Sequence, residues 1–325
     1  MSGKLGSASW AVFLVDGYNV LAAKLQGLTY KSAAATEKVH GLGDLWELNS
    51  PTGISTATLT QTGAFFDDTL NGIHDAFKAS TDVLRVVCWG IAGNTIGKTF
   101  AAMQGAYGMT YDVVGAVGKL TKANVTYIVS GQLDRGAILR DLAAQTANWT
   151  GTAVDYTLDT SQRNIPITSA TKASPCVVTT TVPHGLTTGQ VILTSGNSLA
   201  GPSINSEQTV TVVTATTFSV AVNTTGSTGA GTGGSFVLSS TVNGGVGYQA
   251  ISAYSGFTGV VGKIQHSPDN SSWADLSPSF TNVTTGPIAE RIVVAAGTTV
   301  NRYTRHVGTV TGAGSITPFA GFCRL

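Results

Sequence analysis

Four short runs decide the fold class: Val177-Val178-Thr179-Thr180-Thr181-Val182, Val191-Ile192-Leu193-Thr194, Gln208-Thr209-Val210-Thr211-Val212-Val213 and Thr217-Phe218-Ser219-Val220-Ala221-Val222. Each is rich in β-branched or aromatic residues, which suit a pleated, half-buried surface. Turn chemistry separates them at Pro183-His184-Gly185, Ser195-Gly196-Asn197 and Thr214-Ala215. Short strands at this spacing predict a small sandwich or barrel. The surrounding island, residues 169–240, is almost uncharged, with only Lys172 and Glu207. Its edges, Ile167-Thr168-Ser169 and Ser240-Thr241-Val242-Asn243-Gly244-Gly245, read as junctions.

Outward from this island the same grammar continues. On the C-terminal side, Tyr248–Tyr254, Val260–Ser267, Glu290–Ala295, Asn301–Val310 and Ile316–Arg324 read as strands, with a turn at Ser267-Pro268-Asp269-Asn270. On the N-terminal side, Ala11–Val15 is a strand turning at Asp16-Gly17. Thr56–Thr60, Val83–Trp89, Val113–Val117 and Val125–Ser130 follow as strands. The best helix is Asp67–Ala79, with Asp67 or Asp68 as N-cap and Leu70, Ile73, His74 and Phe77 as its inward stripe. Gly72 weakens it by about 1 kcal/mol relative to alanine. No alternating βα pattern appears, so the class is mainly β and not doubly wound α/β. Three segments follow: 1–168, a small β-domain at 169–240, and 241–325; that the middle one is an Ig-like insertion is what a resemblance given below implies.

Composition narrows the function. Of 325 residues 42% are hydrophobic and only 11% charged, with a formal net charge of +1. The hydrophobic share excludes disorder. The balanced charge gives no overall basic surface for nucleic acid. Scarce charge fits a surface covered by neighbours, since burying unpaired charge is costly. Cys88, Cys176 and Cys323 are far apart and lack metal or redox spacing, so they read as buried thiols in a reducing cytoplasm. Trp10–Val15 is too short for a leader, and no run approaches the ~20 apolar residues of a membrane span. The expected product is a soluble protein made in the cytoplasm, with no membrane association.

The motifs with catalytic overtones each have a plainer reading. Ala92-Gly93-Asn94-Thr95-Ile96-Gly97-Lys98-Thr99 matches a relaxed phosphate loop, with Lys98 for phosphate and Thr99 for Mg²⁺. Gly105 and Gly108 make the following segment a poor helix, and a glycine-rich turn between strands is the stronger expectation. Asp67-Asp68 reads as a cap. His40, His74, His184, His266 and His306 have no metal-ligand spacing, and no Gly-x-Ser-x-Gly elbow occurs. No catalytic, cofactor or metal residues are assigned, and no enzyme is expected. Arg302, Arg305 and Arg324, interleaved with Tyr303, Phe319 and Phe322, read either as a nucleic-acid strip or as strand residues paired with acids at subunit contacts. The second reading is preferred.

Two sets of residues carry a resemblance. His184-Gly185-Leu186-Thr187-Thr188-Gly189-Gln190-Val191, Thr209–Val213, Thr217–Val220 and Gly233-Gly234 together resemble a small FCCH-like β-domain, first described in ubiquitin-activating enzymes and inserted into many phage structural proteins. Leu42-Gly43-Asp44, Pro51-Thr52-Gly53, Leu59, Phe65-Phe66-Asp67-Asp68 and Ala123–Gly136 look like the early part of long-tailed phage tail-tube (major tail) proteins. His266–Trp273, Phe280, Arg291, Gly297, Arg302-Tyr303 and Phe319 look like their ending. The resemblance implies a tail-tube β-sandwich or barrel with a short helix. Six-fold rings would stack, each subunit lending strands to an inner barrel through which DNA passes without specific binding. The small domain would sit outside the tube. Implied partners are copies of the chain, a tape measure protein, and tail terminator and distal tail proteins, within a virion assembled in the host cytoplasm. Tyr248–Gln265 is the first stretch to inspect for a lumen-facing surface. A head-decoration, collar or receptor-binding fibre protein is the alternative.

Overall fold

The computed structural model describes residues 12–20, 24–38, 49–68, 72–78, 84–90, 92–130, 133–155, 164–241 and 243–325. Strands hold more than half of the chain, and a closed six-strand barrel is among its sheets. In chain order the N-terminal elements are β1 (Val12–Val15), β2 (Tyr18–Asn19), β3 (Gly27–Lys38), β4 (Asn49–Phe65), α1 (Ile73–Phe77), β5 (Val86–Gly90), β6 (Thr99–Gln104), β7 (Ala106–Val114), β8 (Lys122–Val129), β9 (Asp134–Arg140), β10 (Trp149–Thr150) and β11 (Val154–Asp155). Next come β12 (Ile165–Ala170), β13 (Cys176–Thr180), β14 (Val191–Ser195), β15 (Glu207–Val212), β16 (Thr217–Val220), β17 (Gly231–Thr232) and β18 (Ser235–Leu238). The last are β19 (Gly245–Ser267), β20 (Ala274–Asp275), β21 (Ile288–Val294) and β22 (Tyr303–Arg324). The named strands pair antiparallel throughout.

The large sheet runs β2-β1-β5-β6-β9-β22-β19-β20, with β10, β11 and β21 on its flanks. It curls on itself. Val12, Leu14, Cys88 and Phe100 from its first strands share a core with Val246, Tyr248, Ala250 and Phe319 from β19 and β22. A second sheet, β3-β4-β8-β7, covers the outer face of β1, β5 and β6. Between them lie Phe13, Val15, Val87, Trp89, Leu59, Val125 and Tyr127, with Phe77 of α1 closing the side. This is the sandwich. Residues 165–238 form the barrel: the path β13-β16-β15-β14-β18-β12 closes because β12 also pairs with β13. Closure leaves no open sheet edge around those six strands, and the barrel holds its own core of Ile167, Val178, Ile192, Val210, Phe218 and Phe236.

Several expectations change. The helix spans only Ile73–Phe77, and its N-cap is Gly72 in extended conformation, not Asp67 or Asp68. The Asp67 carbonyl instead accepts the His74 N–H at 2.9 Å. Leu70 and Ala79 lie outside the described residues, as do Ala11 and Val83. Thr56–Thr60 is the middle of the much longer β4. The strand expected at Val113–Val117 ends at Val114, and Val117 belongs to the turn. Ile167-Thr168-Ser169, expected as a junction, is interior to β12, because Pro166 and Ile165 pair with Ser235 and Phe236 of β18. The four C-terminal strands Tyr248–Tyr254, Val260–Ser267, Asn301–Val310 and Ile316–Arg324 merge into two, β19 and β22, paired from Gly245↔Arg324 to Ser267↔Tyr303. Register shifts around Ile251–Gly259 let each long strand bend without ending there.

Candidate assembly surface

The sheet β3-β4-β8-β7 has two unlike faces. Strand alternation sends Leu59, Ala64, Ala123, Val125 and Tyr127 into the core. The Tyr127 hydroxyl donates to buried Gln61 Oε1 at 3.0 Å. On the opposite face, one row crosses all four strands: Thr29 pairs with Thr60, Thr60 with Thr126, and Thr126 with Thr110. The Thr126 hydroxyl reaches Thr60 Oγ1 at 3.4 Å. Thr58, Thr62 and Asn124 extend this polar surface. Lys31, Asp112 and Lys122 are the charges on it where the four strands overlap. Lys122 is engaged by Gln26 Oε1 at 2.8 Å and lies over the Phe65 ring. Gly63, at φ 76°, takes the bulge in β4, and its N–H donates to Asn124 Oδ1 at 2.8 Å.

The edges are as informative as the face. Among the described residues, β3 pairs only with β4, and β7 only with β8. The outer rims of a 12-residue strand and a 9-residue strand therefore present unpaired main-chain groups. Neither strand contains proline, a common device for blunting an edge. β3 and β7 run in opposite directions, since three antiparallel steps separate them.

The residues with catalytic overtones have structural partners. The loop at 92–98 runs from β5 into β6, with Thr99 opening a strand and not a helix. The Gly97 N–H donates to the Ile138 carbonyl at 2.8 Å and the Lys98 N–H to Thr95 at 3.0 Å, so these donors are not free to cradle a phosphate. His184 is buried edge-on to Phe218. Its Nδ1 accepts the Leu186 N–H at 3.0 Å while its Nε2 faces the Thr214 carbonyl at 2.9 Å. His74 Nδ1 meets the Tyr111 hydroxyl at 2.9 Å, and His266 Nδ1 accepts the Asn301 N–H at 3.1 Å. Burial and nearby Arg324 lower the His266 pKa. His40 lies outside the described residues. No group of three or more potential metal ligands occurs among the described residues. Cys88, Cys176 and Cys323 are buried and not in disulfides, and burial pushes the Cys88 thiol far up.

The arginine strip is held inside the chain. Arg302 forks onto Asp155 at 3.0 and 2.9 Å and reaches Glu207 at 3.3 Å. Arg305 stacks 3.9 Å above the Trp273 ring and donates to Gln265 at 2.8 Å. Arg324 donates to the Ser239 carbonyl at 3.0 Å and to the Asn301 carbonyl. The acids expected across a subunit contact are, for Arg302, neighbours in the same chain. Asp269 organises the turn before Trp273 by accepting the N–H groups of Ser271 and Ser272 at 2.9 and 2.7 Å, which lowers its pKa. The free edges of β3 and β7 were not found from the sequence, because unpaired strands read the same as paired ones. Compared with protein-family models and with curated proteins, the chain matches none.

Proposed function

We propose that this chain is a structural subunit of a hollow tube, the tail tube of a long-tailed phage, and that β3-β4-β8-β7 lines its bore. The observation that carries the reading is a four-stranded sheet with two open edges, a packed back and a polar, threonine-rich face that carries few charges. When copies are related by rotation about a tube axis, β7 of one meets β3 of the next. Their opposite directions make that seam antiparallel, like every other pairing in the sheet. A ring closed in this way removes the exposed edges. Six copies would contribute about 24 strands. At ~4.8 Å spacing and ~40° tilt, the backbone cylinder is roughly 48 Å across, wide enough for a DNA duplex. A polar bore with few charges holds DNA loosely, because the phosphate contacts that hold DNA come chiefly from lysine and arginine; of the two lysines on this face, Lys122 is engaged by Gln26. Tyr248–Gln265 is a poorer candidate for the lining: β19 is paired on both sides and buried at Tyr248, Ala250 and Ile264. The barrel at 165–238 would then stand outside the tube.

Negative-stain electron microscopy over a concentration series tests this. Rings or tubes of constant width are expected. Lys31→Pro and Ser32→Pro sharpen the test. Adjacent residues alternate between pointing their N–H at β4 and at the open edge, so one of the pair blocks only the edge. That variant is expected to fold and stay monomeric. If both variants fold and assemble like the parent, the seam is elsewhere. A stable trimer or monomer of the unmodified chain would favour a fibre or decoration protein.

A further inference from the structure

Six of the ten large apolar side chains exposed among the described residues lie on or beside one hairpin, β7–β8; Val213, Ile288, Val293 and Leu325 lie elsewhere. Val113, Val114, Val117 and Leu120 all fall at the turn joining β7 to β8, with Val117 wholly exposed and Leu120 at 71%. Beside them runs an open groove of 590 Å³, lined by Phe65, Val114, Ala116, Leu120 and the stems of Lys119 and Lys122. The opposite end of the same hairpin is apolar too. Ile128, 53% exposed, pairs there with Thr58 and Tyr107. Leu84, 49% exposed, lies against Gly105 and Ser130, where β7 begins and β8 has ended. Clustered exposed apolar side chains mark a surface that another molecule covers.

The two patches sit at opposite ends of one hairpin, so a copy cannot cover its own. Lateral joining of β3 to β7 leaves both uncovered, because that seam runs along the strands and the patches lie at their ends. A neighbour displaced along the strand direction does cover them. We propose that the β7–β8 turn of one copy seats on the Leu84–Ile128 end of a second copy of this chain in the adjacent ring. The contact is heterologous, and each addition leaves one patch free at either end of the stack, so it propagates as an open filament. This rests on the tube reading and assigns its axial contact, as the β3 and β7 edges assign the lateral one. The two contacts are chemically different. One is main-chain hydrogen bonding and the other is apolar burial, so they are separable by substitution.

The test uses the full chain carrying Val117→Glu and Leu120→Glu, whose side chains lie in solvent at a turn. Sedimentation velocity and negative-stain images are compared with the parent over the same concentration series. Expected are closed single rings and no tubes from the variant, against tubes from the parent. A second variant, Val117→Cys with Ile128→Cys, is oxidised mildly after assembly. A ladder of reductant-sensitive covalent oligomers is expected, over a low background because the three native thiols are buried. Tubes from the glutamate variant indistinguishable from the parent, with no covalent ladder, would overturn this axial contact while leaving the tube reading intact. Absence of both rings and tubes from the parent at every concentration would overturn the tube reading and this inference with it.

Discussion

His306 shows how a single residue here serves packing and not chemistry. It is fully buried between Trp149 and Gln249. The indole N–H donates to its Nδ1 at 3.2 Å, and its Nε2–H donates to Gln249 Oε1 at 3.0 Å. Burial, helped by Arg140, pushes its pKa down to about 3. An unfolded histidine titrates near ~6.5. Below that pH the unfolded chain takes up a proton that the folded chain refuses, so the stability this site contributes is complete above ~6.5 and lost progressively as pH falls toward 3. Denaturant titrations between pH 7 and pH 4 are expected to show falling stability. His306→Gln is expected to be less stable at pH 7 yet to have a shallower slope; an unchanged slope would mean His306 is not the group responsible. His266, also lowered, contributes in the same direction and keeps the variant's slope above zero. Gly308 belongs to the same cluster. A methyl group there would overlap the Trp149 ring, so Gly308→Ala is expected to cost about 1–3 kcal/mol through overpacking, with a shift in tryptophan emission as the check. Nothing in the local sequence marks His306 as a core residue. Its partners are 57 and 157 residues away along the chain.

At the scale of elements, one arginine links a strand of the barrel to a strand of the body. Arg302, just before β22, joins Asp155 of β11 to Glu207 of β15. Glu207 also accepts the Ser239 hydroxyl. With Lys172, it is one of just two charged residues in the whole 169–240 island. Arg302→Ala is expected to cost little global stability, about 1 kcal/mol or less, because the guanidinium is partly solvated. Its larger effect is on placement. Limited proteolysis should cut faster near Ser239–Gly244, and small-angle scattering should show a broader maximum dimension distribution. Identical digestion rates would mean that the Arg324 contacts and the Thr241–Val300 bridge hold the barrel by themselves. Element types were largely legible: the four strand runs that open the reading of the island correspond to β13, β14, β15 and β16. Element lengths were less so. Gly256 and Gly312 fall in the gaps between the expected strands, yet both sit at positive φ beside register shifts inside β19 and β22, where the paired ribbon bends as a unit. Whether a glycine ends a strand or bulges it depends on the partner strand, which local sequence does not display.

For the molecule as a whole, separate cores imply separable folding. The barrel's buried residues form one cluster, distinct from the four clusters of the body. Its entry and exit strands are neighbours, Ile165 facing Phe236. The segment 164–241 expressed alone is expected to fold, giving a β-type circular dichroism spectrum and a cooperative melt. Joining 164 to 241 in its absence is expected to leave the body folded. A disordered isolated segment would show that the Arg302 and Arg324 contacts are needed to hold the barrel shut. By itself the amino-acid sequence determined the mainly β class, the uncharged island and most of its strands, the turn chemistry and the buried thiols. All of these follow from alternation, β-branching and turn residues within a few positions of one another. Only the tertiary structure decided that β12 closes a barrel on β13, that the sheet behind β1 and β5 is left with open edges, and that four threonines from four strands align in one row. Those features rest on pairings between residues 8 to 70 positions apart along the chain. Which strand edges meet is settled by how the faces pack, not by the residues within any one strand.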